Sequence, residues 1–239
     1  MLFVKRAFVV LLVALALLAV ACGGGGGTDR SDAVSIDTLH LAASNTQDAE
    51  SARFEVHTTG PISVSANGVV SGDGRNGSVQ LDLGNGRSVD ERLVDGVAYF
   101  DTSLFGEASN GERWYRFDLS ALSDALGSAS PFGSFGTTPS SALDLLDQVA
   151  GPVDKVGDDT VAGNHATHYR ASLKTPSGDT PIDVWIDDLD RVVKVEAQLP
   201  GGDQSVSMQI TEFGVPVNVE APPPDQVGSL DIGSLFDPR

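Results

Sequence analysis

Apolar residues recur along this chain with two different periods, and the change from one to the other divides it. Between residues 36 and 51, Ile36, Leu39, Ala42, Ala43 and Ala49 return near helical spacing, with Ser35 placed to cap the first turn and Asp37 inside it. From residue 53 the period becomes two. Phe54, Val56 and Thr58 alternate with Arg53, Glu55 and His57, and Ile62, Val64 and Ala66 with Ser63, Ser65 and Asn67. Val79, Leu81 and Leu83 continue the pattern against Ser78, Gln80 and Asp82, with breaks at Gly72-Asp73-Gly74 and Gly84-Asn85-Gly86. Asp95-Gly96, set between Val89–Val94 and Val97–Asp101, predicts a two-residue hairpin, because aspartate and glycine accept the positive φ angles such a turn requires.

The middle of the chain interrupts the alternation. Arg113 to Leu119 reads as a strand with Tyr115, Phe117 and Leu119 on one face and Trp114, Arg116 and Asp118 on the other. Ser120 caps a short helical segment over 120–126. Residues 127–139 form a long loop of small residues that carries Phe132 and Phe135, the composition expected of an apolar flap over a site. A helix over 140–150 offers Leu143, Leu145, Leu146 and Val149 for burial and stops at Gly151-Pro152. Strands then return. After 153–156 and 160–161 comes a turn at Gly163-Asn164, and Tyr169, Ala171 and Leu173 share one face of the next strand. Ile182, Val184 and Ile186 oppose Asp183, Trp185 and Asp187; Val193, Val195, Ala197 and Leu199 oppose Val192, Lys194, Glu196 and Gln198; Val206, Met208 and Ile210 oppose Ser207, Gln209 and Thr211. Periodicity fades from Pro216, and 221–239 is expected to be a Pro-rich tail.

About ten or eleven strands, apolar on one side only, predict an antiparallel sheet with one wet and one covered face. A sheet of that size curls, and two or three helices are too few to cover it flat. The expected class is therefore α+β: a large curved antiparallel sheet, a half-barrel over residues 35–220, wrapped around its helices. Such a shape can leave an apolar hollow between sheet and helices.

The N-terminus follows a different logic. Lys5 and Arg6 precede an uncharged run from Ala7 to Ala21, shorter than the roughly 20 apolar residues a membrane span needs. Cys22, the single cysteine of the chain, closes Leu18-Ala19-Val20-Ala21-Cys22, which resembles the lipobox of bacterial lipoproteins. That resemblance implies a signal peptide over 1–21, acylation of Cys22, and a place on the outer face of the cytoplasmic membrane. Gly23 to Gly27 and the small polar residues after them have nothing to bury, so 22–34 reads as a flexible tether. One cysteine permits no internal disulfide, and stability must come from packing.

The formal net charge is −18, which opposes binding to nucleic acid and to anionic headgroups. No Gly-x-Ser-x-Gly elbow and no phosphate-binding glycine loop with lysine occurs, and no cofactor is implied. Four histidines, His40, His57, His165 and His168, are dispersed; a separation of three puts the last two on opposite sides of a strand, so no metal site is expected. Asp187-Asp188-Leu189-Asp190 and Gly157-Asp158-Asp159 are read as solvated acidic turns rather than calcium loops. Trp114 and Trp185 fall on strand faces that are otherwise polar.

Taken together, Cys22, the strand Glu112–Leu119, the segment Leu143-Asp144-Leu145-Leu146 running to Gly151, the run Val156–Gly163 leading to His168-Tyr169-Arg170, and Val184-Trp185-Ile186-Asp187 resemble actinobacterial cell-envelope lipoproteins of the LppX/LprG type, over roughly residues 36–215. That resemblance implies a half-barrel similar to the lipoprotein carrier LolA. It also implies a membrane-tethered protein that holds a lipid or acylated glycolipid for transfer, without catalysis. The inward residues Phe54, Val56, Leu81, Leu83, Tyr115, Phe117, Tyr169, Val184, Ile186, Val193, Val195, Met208 and Ile210 would then line the hollow, with Phe132 and Phe135 gating it. The alternative is an envelope interaction or sensor protein with a solid core whose acidic exterior docks a protein partner, an envelope transporter among the candidates. Cys22→Ser is expected to shift the protein from the membrane pellet to the soluble fraction, read by fractionation and immunoblot; a pellet unchanged by the substitution rejects acylation at this residue.

Overall fold

Strand pairing, not helix packing, organises this molecule. The computed structural model describes residues 32–60, 63–84, 86–101, 112–118, 139–175, 178–198 and 204–229. Cys22, most of the tether, the 120–126 segment, Phe132 and Phe135 lie outside the described residues, as does the side chain of Phe117.

Thirteen strands among the described residues form a single sheet. After the edge strand β1 (Asp32–Val34) and helix α1 (Asp37–Gln47) comes a first meander: β2 (Ser51–Thr59), β3 (Ser65–Ser71), β4 (Gly77–Asp82), β5 (Ser88–Val94), β6 (Val97–Asp101) and β7 (Trp114–Asp118). Helix α2 (Pro139–Leu143) runs into a 3-10 turn (Asp144–Gln148). The second meander is β8 (Val153–Val161), β9 (Asn164–Thr175), β10 (Gly178–Asp187), β11 (Val192–Gln198) and β12 (Ser205–Phe213), followed by β13 (Val227–Ser229). The spatial order is β1-β8-β9-β10-β11-β12-β2-β3-β4-β5-β6-β7-β13, so β12 joins the two meanders by pairing with β2, and the sheet stays open. Every pairing is antiparallel except β13 on β7. The Asp95-Gly96 hairpin forms as its sequence requires, with φ of 53° and 83°.

Alternation holds one side chain in and the next out. Phe54 stands beside Ile210 and Val56 beside Met208 across the β2/β12 ladder, all four buried, while Arg53, Glu55 and His57 point out. Irregularities at Lys155/Gly157, Trp185/Ile186 and Ile210/Glu212 add the bends that curl a sheet of this breadth. The inner face forms one core with Leu39, Ala42 and Ala43 of α1 and Ala142, Leu143, Leu145 and Leu146 of the second helical segment.

Three expectations are corrected. Residues 32–34, expected within the flexible tether, pair with β8 as β1. The first helix stops at Gln47 rather than 51, since Ser51 already belongs to β2, where its carbonyl accepts from the Gly214 amide and its hydroxyl donates to the Val215 carbonyl. The Pro-rich segment does not leave the sheet: residues 214–226 cross its outer face, with Arg92 Nη1 donating to the Glu220 carbonyl at 3.2 Å, and end in β13.

Helix α1 is fastened to the second meander by one hydroxyl. Thr46, buried, donates to the Ala42 carbonyl at 2.7 Å and accepts from the Val192 amide, also at 2.7 Å. Asn45 Nδ2 adds a bond to the Asp190 carbonyl at 3.0 Å. Thr46→Val strands the Val192 amide and is expected to cost about 1–3 kcal/mol in urea unfolding, while Thr46→Ser retains most of the stability; equal midpoints for parent and Val variant reject the fastening.

Candidate functional site

The inner face of the sheet is the candidate site. Helix α1 packs against β11 and the 3-10 turn, the 3-10 turn against β9, and α2 against β12, so the described helical contacts centre on the second meander and β12. The first meander contributes Val79, Leu81 and Val89, all buried, with Leu83 and Phe100 partly buried against them.

Most of the expected inward residues lie on this face. Phe54, Val56, Leu81, Val184, Ile186, Val195, Met208 and Ile210 are buried in the main core, and Leu83 and Tyr169 pack against it. Tyr115 packs instead on a small cluster of Leu93 and Ala98. Val193 corrects the expectation. It belongs to a separate cluster with Val161, Ala166 and Trp185 on the outer face. The bulge opposite Trp185 supplies the reason: Trp185 pairs with Lys194 and Ile186 with Val192, so Val193 is the extra residue and Val192 takes the inward place.

Space differs between the two sides. Among the described residues, a void of about 20 Å³ lies between helices and sheet, lined by Thr46, Ala52, Val70, Leu143 and Ile210 among others. An open trough of about 660 Å³ lies on the outer face of β2–β5, bordered by the polar side chains Arg53, Glu55, His57, Asn67, Gln80, Asp90 and Arg92. Polar walls suit water or a protein surface, not hydrocarbon.

Among the described residues, one ionisable side chain is buried on the inner face. Val89, Glu91 and Leu93 share a side of β5, and Glu91 sits across from Val79 on β4 and Phe100 on β6. It is 5% exposed, and its Oε2 has no hydrogen-bond partner among the described residues. Burial alone pushes its carboxyl up to about 7. The i, i+2, i+4 spacing Val89-Glu91-Leu93 is the sequence signal that puts this residue on the inward side of β5, and its charge is what sets it apart from apolar positions.

The outer face gathers the charged groups that sequence reading left scattered. His168 stacks on Trp185 with ring centres 4.3 Å apart, and its Nε2 lies 2.6 Å from Asp183 Oδ1, which also accepts from Arg170 Nε at 2.9 Å. Lys194 Nζ stands 4.3 Å from the Trp185 ring, and the indole donates to Asp159 Oδ2 at 3.0 Å. Asp158 and Asp159 therefore lie within β8 and not in a turn. The Thr160 amide, then the Trp185 indole, hold the Asp159 carboxyl below the usual range. His165 bonds elsewhere, its Nδ1 lying 2.8 Å from Asp188. Trp114 is also buried on the outer side, with the Arg92 guanidinium 4.6 Å from its ring. Among the described residues no cluster of His, Cys, Asp and Glu is arranged to hold a metal ion.

An unclosed antiparallel half-barrel with an apolar inner face and few helices defines the architecture. No protein-family profile and no curated protein matches the sequence. Among solved structures, the lipoprotein LppX of Mycobacterium tuberculosis is similar at 17% identity and a TM-score of 0.57, over 77% of this chain and 97% of that one. LprF from Mycobacterium bovis is similar at 14% identity and a TM-score of 0.52, over 78% of this chain and 96% of that one. Identity this low speaks to fold, and the fold is the LppX-type half-barrel that the sequence resemblance implied.

Glu91 gives the site a pH signature. In the unfolded chain a glutamate ionises near 4.5, whereas the folded carboxyl holds its proton to about 7, so stability falls as pH rises through that window. The loss amounts to roughly 3 kcal/mol and persists above pH 7. Glu91→Gln is expected to remove this fall: the stability difference between variant and parent, from denaturant unfolding, should grow from pH 4.5 to 7 and then level. A difference constant with pH rejects a buried, proton-holding Glu91.

Proposed function

We propose that this chain is a membrane-tethered, extracytoplasmic lipoprotein that holds a lipid or acylated glycolipid against the inner face of its half-barrel and passes it between layers of the cell envelope. The observation that carries this reading is that the apolar inner face runs on across the seam from the second meander onto β4–β6, with Val79, Leu81, Val89 and Phe100 in or against the same core as Phe54, Val195 and Met208. Acyl chains laid there gain about 25 cal/mol for each Å² removed from water, and the function needs no covalent chemistry. The lipobox around Cys22 and the likeness in fold to lipoproteins LppX and LprF support the same reading. On this proposal Cys22 carries the anchor and the inward residues other than Val193 border the ligand.

The small void of about 20 Å³ and the polar outer trough favour a second reading, a filled core whose acidic exterior docks a protein of the envelope. Native mass spectrometry on the exported Cys22→Ser protein, with organic extraction of the same sample, separates the two. A co-purifying lipid at fixed stoichiometry is the expected result, and Val195→Trp should lower its occupancy. A bare mass that also takes up no added lipid favours the docking protein.

A further inference from the structure

Among the described residues, Glu91 is the one buried ionisable side chain on the inner face. Glu91 lies in a cross-sheet row with Val79 and Phe100, and the next position beyond Val79 is Gly68, which presents only backbone. A Cβ at Gly68 would press into the Ser78 carbonyl and against Val79, so this part of the row is fixed as glycine by the close approach of β4. Glu91 is buried, and neither an ion pair nor a hydrogen bond satisfies its Oε2 among the described residues. Leaving a carboxyl group in that condition is unfavourable, and an apolar residue of similar volume would pack there more stably. A group kept at such expense on the surface where acyl chains would lie points to a partner supplied by the ligand.

We propose that Glu91 is the polar anchor of this face and hydrogen-bonds the ester carbonyl at which an acyl chain joins the body of the lipid. The proposal rests on the lipid-holding function above and narrows it to ester-linked acyl lipids. The chemistry is directional. A protonated carboxyl donates one O–H, and an ester carbonyl accepts without bringing a donor of its own, so the pair is satisfied without burying a charge. With its carboxyl pushed up to about 7, Glu91 carries that proton in about half of the molecules at pH 7 and in most of them below it. A hydrocarbon or ether chain binding at the same spot leaves the group unpaired, so Glu91 would discriminate by what the wrong ligand fails to satisfy.

The test compares a fluorescent triacylglycerol with its trialkyl-ether analogue, titrated into the Cys22→Ser protein, Glu91→Leu and Glu91→Gln in that background, with folding checked by circular dichroism. A neutral hydrogen bond predicts a preference of about three- to tenfold for the ester in the parent. Glu91→Gln, which can still donate, should keep most of it, and Glu91→Leu should bring the ratio close to one while folding normally. The proposal is overturned if the parent binds both probes equally, or if Glu91→Leu keeps the parent's preference. Binding of neither probe to the parent overturns the lipid-holding function itself, and this inference with it.

Discussion

The ladder between β12 and β2 is the constraint on which the rest of the molecule depends. Each meander is built from neighbours in sequence, and among the described residues this pairing is what makes one sheet of two. It joins positions as distant as Ala52 and Phe213, and just beyond its end the Ser51 hydroxyl bonds the Val215 carbonyl across 164 residues, so chain closure must be completed before the central core residues meet. The same ladder sets Phe54 by Ile210 and Val56 by Met208, and those pairs form the floor on which the helices rest.

Curvature and coverage follow from that seam. A sheet that remains open must bury one face by bending, and the bulges supply the bend where the second meander meets α1. Thr46 ties the helix to Val192 at the strand beginning just after the β10–β11 turn, so the helical cover is committed to one side of the seam. The other side contributes Val79, Leu81 and Val89 to the same core, together with the buried carboxyl of Glu91.

Much of this was legible in the chain. The hairpins from Phe54 to Asp101, the burial of Leu81, Val184 and Met208, and the half-barrel class follow from a period of two and from turn chemistry. What alternation could not reveal is where it breaks. Val192 and Val193 are both apolar, and only the bulge decides which faces in. The turn expected at Gly163-Asn164 forms one residue earlier, at Ala162 and Gly163, because Asn164 is already paired with Val161. The strands β1 and β13 are three residues each, too short to carry a period, and their existence depends on edges built elsewhere. The expected helix over 140–150 is a five-residue helix followed by a 3-10 turn, a distinction that spacing of leucines does not encode. Glu91 was readable as inward, yet its lack of a partner is a fact of three dimensions.

The two edges of the sheet have a consequence for association. Open sheets invite other strands to pair along their bare backbone. Here one edge is covered for only three residues by β1, beyond which β8 displays Asp158 and Asp159, and the other is finished by the short parallel β13. Borders this short offer a neighbouring strand little continuous backbone to pair with, so the half-barrel can leave its sheet unclosed without presenting a long flat edge.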